Sequence, residues 1–377
     1  MRNVTAVLEE KMKELKLSEE EKERLLMTGI DLEGKDRSGS FFLCDHQVSQ
    51  CMINQDGLEL LPIQMALEKY DLKDYYWKLL QPEKDPFTKR AEEDLEGGYF
   101  IRALPGAKII FPVQACLFIT IDKFNQDVHN LIIAEEGSEL HVITGCSTSP
   151  HVRSGLHVGV SEFYVKRGAK LTFTMIHTWP EEMLVRPRTM ALVEEEGTFI
   201  SNYITLLPAK DIQAYPTAIL HGKNSVATFQ SVLLARKGSF MDLGSRAILK
   251  AEGARAEIIS RSVSTGGTVI ARGHLVGEAT GVKGHLECRG LLLSSEGAIH
   301  AIPELEARAE EVEMSHEAAV GKIAREELEY LMARGLNEEE ATSLIIKGFL
   351  TLEVKGLPPL LKAQLDALYE EMMKKAL

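Results

Sequence analysis

The sequence predicts a mainly β protein: a parallel β-helix (β-solenoid) core flanked by N-terminal and C-terminal helical regions. Three observations predict it. From residue 101 to 319 the chain is a succession of short alternating runs rich in Val, Ile, Leu and Thr, each closed by one or two charged residues and a glycine. The glycines at these closures, Gly106, Gly137, Gly168, Gly197, Gly238, Gly253, Gly267 and Gly297, lie 31, 31, 29, 41, 15, 14 and 30 residues apart, all close to multiples of 14 or 15. On both sides of this stretch the apolar spacing becomes helical. A solenoid accounts for all three, because each coil supplies a few short strands, stacks on the next, and turns where glycine relieves backbone strain. A β-sandwich is the alternative, but its turns come every ~8 to 12 residues.

Taken in order, residues 1–100 read as a helical and mixed N-terminal cap. Residues 3–16 have helical spacing, and Ser18-Glu-Glu-Glu21 is a capping-box pattern that opens a second helix ending near Gly29. FFLCDHQ is strand-like, whereas IQMALEKYDLKDYYWKLLQ, bounded by Pro62 and Pro82, predicts one helix. Residues 101–319 form the β-helix core. In the C-terminal helical domain, 320–377, IAREELEYLMARG is helical, Asn337-Glu-Glu-Glu340 is an N-cap run opening a helix to about Leu350, and PPLLKAQLDALYEEMMKKAL closes the chain. Such a tail caps the open end of a solenoid, presents a docking surface, or does both.

At 377 residues the chain exceeds what one compact core usually holds, in keeping with an architecture that grows by repetition. Hydrophobic residues at 45% and charged residues at 26% are ordinary for a soluble protein and leave no room for a large disordered fraction. The net charge of −13 opposes non-specific binding to nucleic acid or to anionic membranes, so neither is expected as a partner. No run of 18 apolar residues exists, and MRNVTAVLEEKMKELK lacks a signal-peptide core, so the expected location is the cytoplasm. Cys44, Cys51, Cys116, Cys146 and Cys288 are widely spaced with no CxxC, which suggests neither a disulfide framework nor a zinc ribbon. They are expected as reduced thiols, most of them buried.

Neither GxxxxGK[ST] nor GxGxxG occurs, so the chain is not expected to hydrolyse ATP unaided. HExxH, GxSxG and compact Cys/His clusters are also missing, which removes support for common hydrolase and zinc readings. The densest set of chemically able side chains is Cys288, His300, His316 and Glu317, spread over about two coil lengths. A thiolate, an imidazole and a carboxylate are plausible iron ligands, and a thiolate also accepts persulfide sulfur. Taken singly, each has an ordinary structural explanation: a buried Cys, a turn His, a solvated Glu. A β-helical carbohydrate enzyme using Glu304 and Glu306 is a competing reading, opposed by the 6% aromatic content, since sugar clefts stack on Trp and Tyr.

Two segments carry a resemblance. SHEAAVGKIAREELEYLMARGLNEEEATSLIIKGF resembles the C-terminal signature of the SufB/SufD family, in which an HE dipeptide precedes a G/S-K-I, a helix with YL, R-G and a stretch of acidic residues. ELHVITGCSTSPHVRSGLHVGVSEFYVKRGAKLTFTMIHTWP resembles the family's GCT/S-x-x-P and LH-x-x-V-x-E region. The resemblance extends from about residue 100 to the C-terminus and implies a non-enzymatic scaffold for iron–sulfur cluster assembly. SufB subunits carry an essential cysteine and, 29 residues later, a glutamate that follows a histidine; Cys288, His316 and Glu317 have that spacing, and His300 with Pro303 also fits the SufB pattern.

The resemblance therefore implies Cys288, Glu317, His316 and His300 as metal ligands of a transient iron–sulfur cluster. Cys146 resembles a family cysteine that accepts sulfur, which would pass along the solenoid interior to Cys288. Implied partners are a SufC-type ABC ATPase docked on the C-terminal helices, about 323–350, a second SufB/SufD-type chain, a sulfur donor and apo-protein recipients. A homodimer is the favoured pairing. A SufD-like structural subunit is the alternative, against which the presence of Cys288 with Glu317 speaks. Flavin, bound by some family complexes, is left open by the sequence.

Overall fold

The structure, a computed structural model, describes residues 17–350 apart from 96, 206 and 208. The helical readings of residues 3–16 and of PPLLKAQLDALYEEMMKKAL fall outside the described residues. The core is a parallel β-solenoid of about 8 turns with flanking helices. Its two walls are a ten-stranded and an eleven-stranded sheet. The first sheet runs from Gln47–Ile53 at one edge, through Gly39–Cys44, Val113–Ile119, Glu139–Thr148, Lys170–Thr178, Thr198–Thr205, Val226–Ala235, Arg255–Ser264 and Lys283–Leu292, to Glu313–Gly321. The second ends on Ala298–Ala307, which pairs with Thr268–Gly277. Pairing is parallel except at the N-terminal edge, where Gly39–Cys44 meets Gln47–Ile53 and Leu58–Pro62 meets Tyr99–Ala103 in antiparallel fashion.

The turns explain the glycine spacing and refine it. Left-handed backbone recurs at Gly106, Gly137, Gly168, Glu196, Asn224, Gly253, Gly281 and Glu311, successive positions lying 28 to 31 residues apart. A coil is therefore 28–31 residues, and the 14–15 residue spacing seen in the sequence is half of one. The gap of 41 before Gly238 arises because Asn224 fills the expected turn, a residue type whose short polar side chain tolerates left-handed backbone. At Gly267 the need is space: a Cβ there would come 2.4 Å from the Arg236 carbonyl oxygen of the preceding coil.

Inward side chains from both sheets merge into one core cluster, with Phe163 against Phe173 and Phe199 in its middle. Outward faces are covered selectively. The helix Glu19–Leu26, capped by Ser18 and Glu21 as the sequence predicts, belongs with Ile30 to a cluster with Phe42, Cys116 and Phe118. The helix Glu338–Leu350, capped reciprocally by Asn337 and Glu340, lays Ile346 and Leu350 on Ile176, Val232, Val263 and Leu291. Burying each of those two side chains stabilises the contact by about 1.5–3 kcal/mol.

One expectation is corrected. The helix predicted between Pro62 and Pro82 is limited to Ile63–Lys69. Its continuation is abandoned because the buried Glu162 carboxylate accepts hydrogen bonds from the backbone N–H groups of Trp77, Lys78, Leu79 and Leu80, at 2.6, 2.8, 2.6 and 3.1 Å. Four donors gathered on one anion hold the chain in a turn that helical hydrogen bonding would not allow, with Trp77 in left-handed backbone at φ 55.

Candidate functional site

In a parallel solenoid, side chains of paired residues share a face, and neighbours along a strand point to opposite faces. Cys288 lies on Lys283–Leu292 between Ser260 and Ala318 in register, one strand from the C-terminal edge of the first sheet. It points inward with Leu286 and is buried at 2% exposure. Burial, with Glu287 beside it, pushes its thiol up to about 11, so the thiol is neutral near pH 7.

The other expected ligands are distributed around this thiol on different faces. His316 pairs with Leu286 and so shares the inward face with Cys288; it is exposed, because among the described residues no further coil stacks on this strand. Glu317 pairs with Glu287 and lies on the opposite, outward face, 3.9 Å from Arg289 in a charge ladder that continues through Glu287 to Arg261. His300 pairs with Ile270, outward on the second sheet, and is exposed. Within one chain the structure thus places Cys288 and His316 on one face and holds Glu317 and His300 away from both. Among the described residues, no group of three or more His, Cys, Asp and Glu is arranged to hold a metal ion.

Cys146 lies five strands away on the same inward face, roughly 24 Å at ~4.8 Å per strand. It is fully buried, and burial raises its thiol far above the ordinary range. Its register partner is His177, whose Nδ1 lies 3.0 Å from the Tyr203 hydroxyl and whose ring sits 5.5 Å from Trp179. His157 completes this group, hydrogen-bonded through Nδ1 to Gln126 at 3.0 Å, and burial drives its imidazole down to about 3.

Between the two cysteines, successive inward positions carry polar side chains: Tyr203 pairs with Ser231, Ser231 with Ser260, and Ser260 with Cys288. His177 Nε2, Trp179 Nε1, Thr148 Oγ1 and Ser262 Oγ along this line are buried without a protein partner. A cavity of about 40 Å³, bordered by Met175, Tyr203, Phe229, Ser231 and Ser245, interrupts the packing and has room for water. An apolar core would not leave so many donors unpaired, so the row is a polar seam through the solenoid interior. Sequence reasoning named Cys146 and Cys288 but missed His157, Glu162, His177, Trp179 and Tyr203. The first two lie in the quoted LHVGVSE segment and the next two in MIHTWP, but only the register shows which way each side chain points.

No helix of the described residues is long and apolar enough to cross a membrane. Residues 118–349 match the family described as SUF system FeS cluster assembly, SufBD core domain. An iron–sulfur cluster assembly SufBD family protein of Archaeoglobus fulgidus is 54% identical over 344 residues, covering 91% of this chain and 92% of its own. One of Methanothermobacter thermautotrophicus is 49% identical over 97% of this chain and 91% of its own. A more distant relative from Staphylococcus aureus is 32% identical over 81% of this chain and 67% of its own. The chain is a member of the SufBD family of iron–sulfur cluster assembly proteins.

Proposed function

We propose that the chain is a SufB-type scaffold on which a transient iron–sulfur cluster forms, with Cys288 as sulfur acceptor and cluster ligand. The observation that carries this reading is the placement of Cys288: an inward thiol, one strand from an open solenoid edge, with His316 on the same face. The separation of Glu317 and His300 from it favours a ligand set completed by a second chain, in a homodimer joined through the C-terminal solenoid edges. Glu313–Gly321 supports this pairing, since a nine-residue edge strand exposes unpaired backbone groups and Val320.

The polar seam from Cys146 is the route by which sulfur from a donor reaches Cys288. The neutral thiol at Cys288 calls for an opening step before it acts, because the thiolate is the nucleophile and ligand. A SufC-type ABC ATPase supplies that step by docking on Arg325–Met332, which buries none of its residues and exposes Tyr330 and Met332, and on the adjoining Glu338–Leu350. Cluster delivery to apo-proteins from the cytoplasm completes the reading; flavin has no assigned place in it.

A second reading, a SufD-like structural subunit, is favoured by one observation, the opposite facing of Cys288 and Glu317. Anaerobic reconstitution with ferrous iron and sulfide, with the ATPase present and absent, separates the two. Visible charge-transfer bands in the wild type that are lost in Cys288→Ser are expected of the scaffold; no bands in either protein with the ATPase present would leave the structural subunit.

A further inference from the structure

The second sheet is broken at one place. Its strands Glu182–Val185 and Arg188–Val193 are separated at Arg186-Pro187, and Asp211–Ala214 and Thr217–Leu220 at Tyr215-Pro216, while Phe240–Leu249 runs past both gaps unbroken. Proline has no N–H to give the ladder, so carbonyls at the break need other donors. Arg186 supplies them to Val185 and Asp211, and Arg188 to Pro187 and Gln213. These two arginines are therefore accounted for in part by the fold.

Outside the break lies a groove of about 520 Å³, a size suited to a small molecule. Lys84, Arg188, Tyr215 and Arg272 line it, and Arg246 stands close enough to Lys84 and Tyr215 to act on both electrostatically. The acidic groups present are mostly committed: Asp242 makes two hydrogen bonds to Arg272, and Asp85 caps the helix Pro86–Glu93 while pairing with Arg188. Glu304 is the remaining carboxylate of the lining. Among the described residues no carboxylate forms an ion pair with Lys84 or Arg246, and Arg246 Nε is buried without a hydrogen-bond partner. Burial lowers the Lys84 ammonium from its ordinary value; Asp85 opposes the shift, and the like charges of Arg188 and Arg246 add to it.

We propose that this groove binds a phosphate-bearing small molecule, its phosphate held among Lys84, Arg188 and Arg246. Guanidinium groups and an ammonium match the tetrahedral oxygens of phosphate, and an anion there would supply counter-charge beside Lys84 and Arg246. Thr189 and Ala214 border both the groove and the interior cavity beside Tyr203, so the ligand would sit directly outside the polar seam where the wall is discontinuous. The inference is independent of the scaffold reading and stands or falls on binding alone.

The test uses the full chain. Pyrophosphate, inorganic phosphate and citrate are titrated at fixed ionic strength by calorimetry into the wild type, Lys84→Gln, Arg246→Gln and, as a control outside the groove, Lys237→Gln. Saturable pyrophosphate binding is expected, weakened about tenfold or more in the two groove variants and unchanged in the control. Absence of saturation, equal affinity in all four proteins, or citrate binding as tight as pyrophosphate would overturn the proposal. Should a groove variant fail to fold, amine acetylation of the wild type read by mass spectrometry decides: pyrophosphate is expected to protect Lys84 and not Lys237, and no protection of Lys84 refutes the site.

Discussion

Cys146 and Cys288 both point inward on parallel strands of one sheet, two residues apart in register, yet their surroundings are opposite. Around Cys146 every residue from Leu140 to Thr148 is buried. The outside of that strand is so tightly covered that a Cβ on Gly145 would approach Thr28 Oγ1 to 2.4 Å. Around Cys288 the neighbouring strand Glu313–Gly321 is exposed at every position but Met314, and nothing in the described chain stacks beyond it. The coils repeat one backbone pattern, so the pattern does not set chemical access. What sets it is the number of coils and covering helices between a residue and solvent.

The largest effect that sharpens this comparison is on stability. Glu162 is a fully buried carboxylate that holds four backbone donors and lies 2.9 Å from His129 Nε2, so Glu162→Gln is expected to cost about 3–5 kcal/mol in urea unfolding. Glu317→Gln, on an exposed side chain 3.9 Å from Arg289, is expected to change stability by less than about 0.5 kcal/mol. Similar losses in both variants would break the contrast between a sealed end and an open one.

Thiol labelling under native conditions probes the same contrast at the cysteines themselves. Cys288 is expected to react with iodoacetamide roughly a hundredfold or more faster than Cys146, since local fraying of the last coil exposes the first and only global unfolding the second. The pH dependence carries a sign. Burial raises the Cys288 thiol to about 11, so labelling should climb steadily from pH 7 to 10; a plateau near the ordinary cysteine range would show that the thiol is not held neutral.

A smaller effect concerns the open edge. Val320 is 41% exposed on the last strand and packs beside Gly290, where a Cβ would meet it at 3.2 Å. Val320→Lys is expected to convert a homodimer to monomer in sedimentation while changing stability by less than about 1 kcal/mol. An unchanged sedimentation coefficient for a dimeric wild type would move the interface away from this edge.

Much of the fold was legible because it repeats. Turn glycines at Gly106, Gly137 and Gly168 need left-handed backbone, and the Ser18 and Asn337 caps mark their helices by local chemistry that requires no knowledge of the rest. The helix beyond Lys69 was not legible, because Glu162, which diverts it, lies more than 80 residues away in sequence and meets it only through tertiary packing. Glu196, Asn224 and Glu311 replaced glycine at turns and hid the true coil length.

That hidden length is what governs the candidate site. By itself the sequence determined that Cys288 and Glu317 stand 29 residues apart, a spacing read there as about two coil lengths. The tertiary structure decided that the local coil is 30 residues, since Glu287 pairs with Glu317 and Cys288 with Ala318. A strand alternates faces at every residue, so one residue short of a full coil is enough to send Glu317 outward while Cys288 points in.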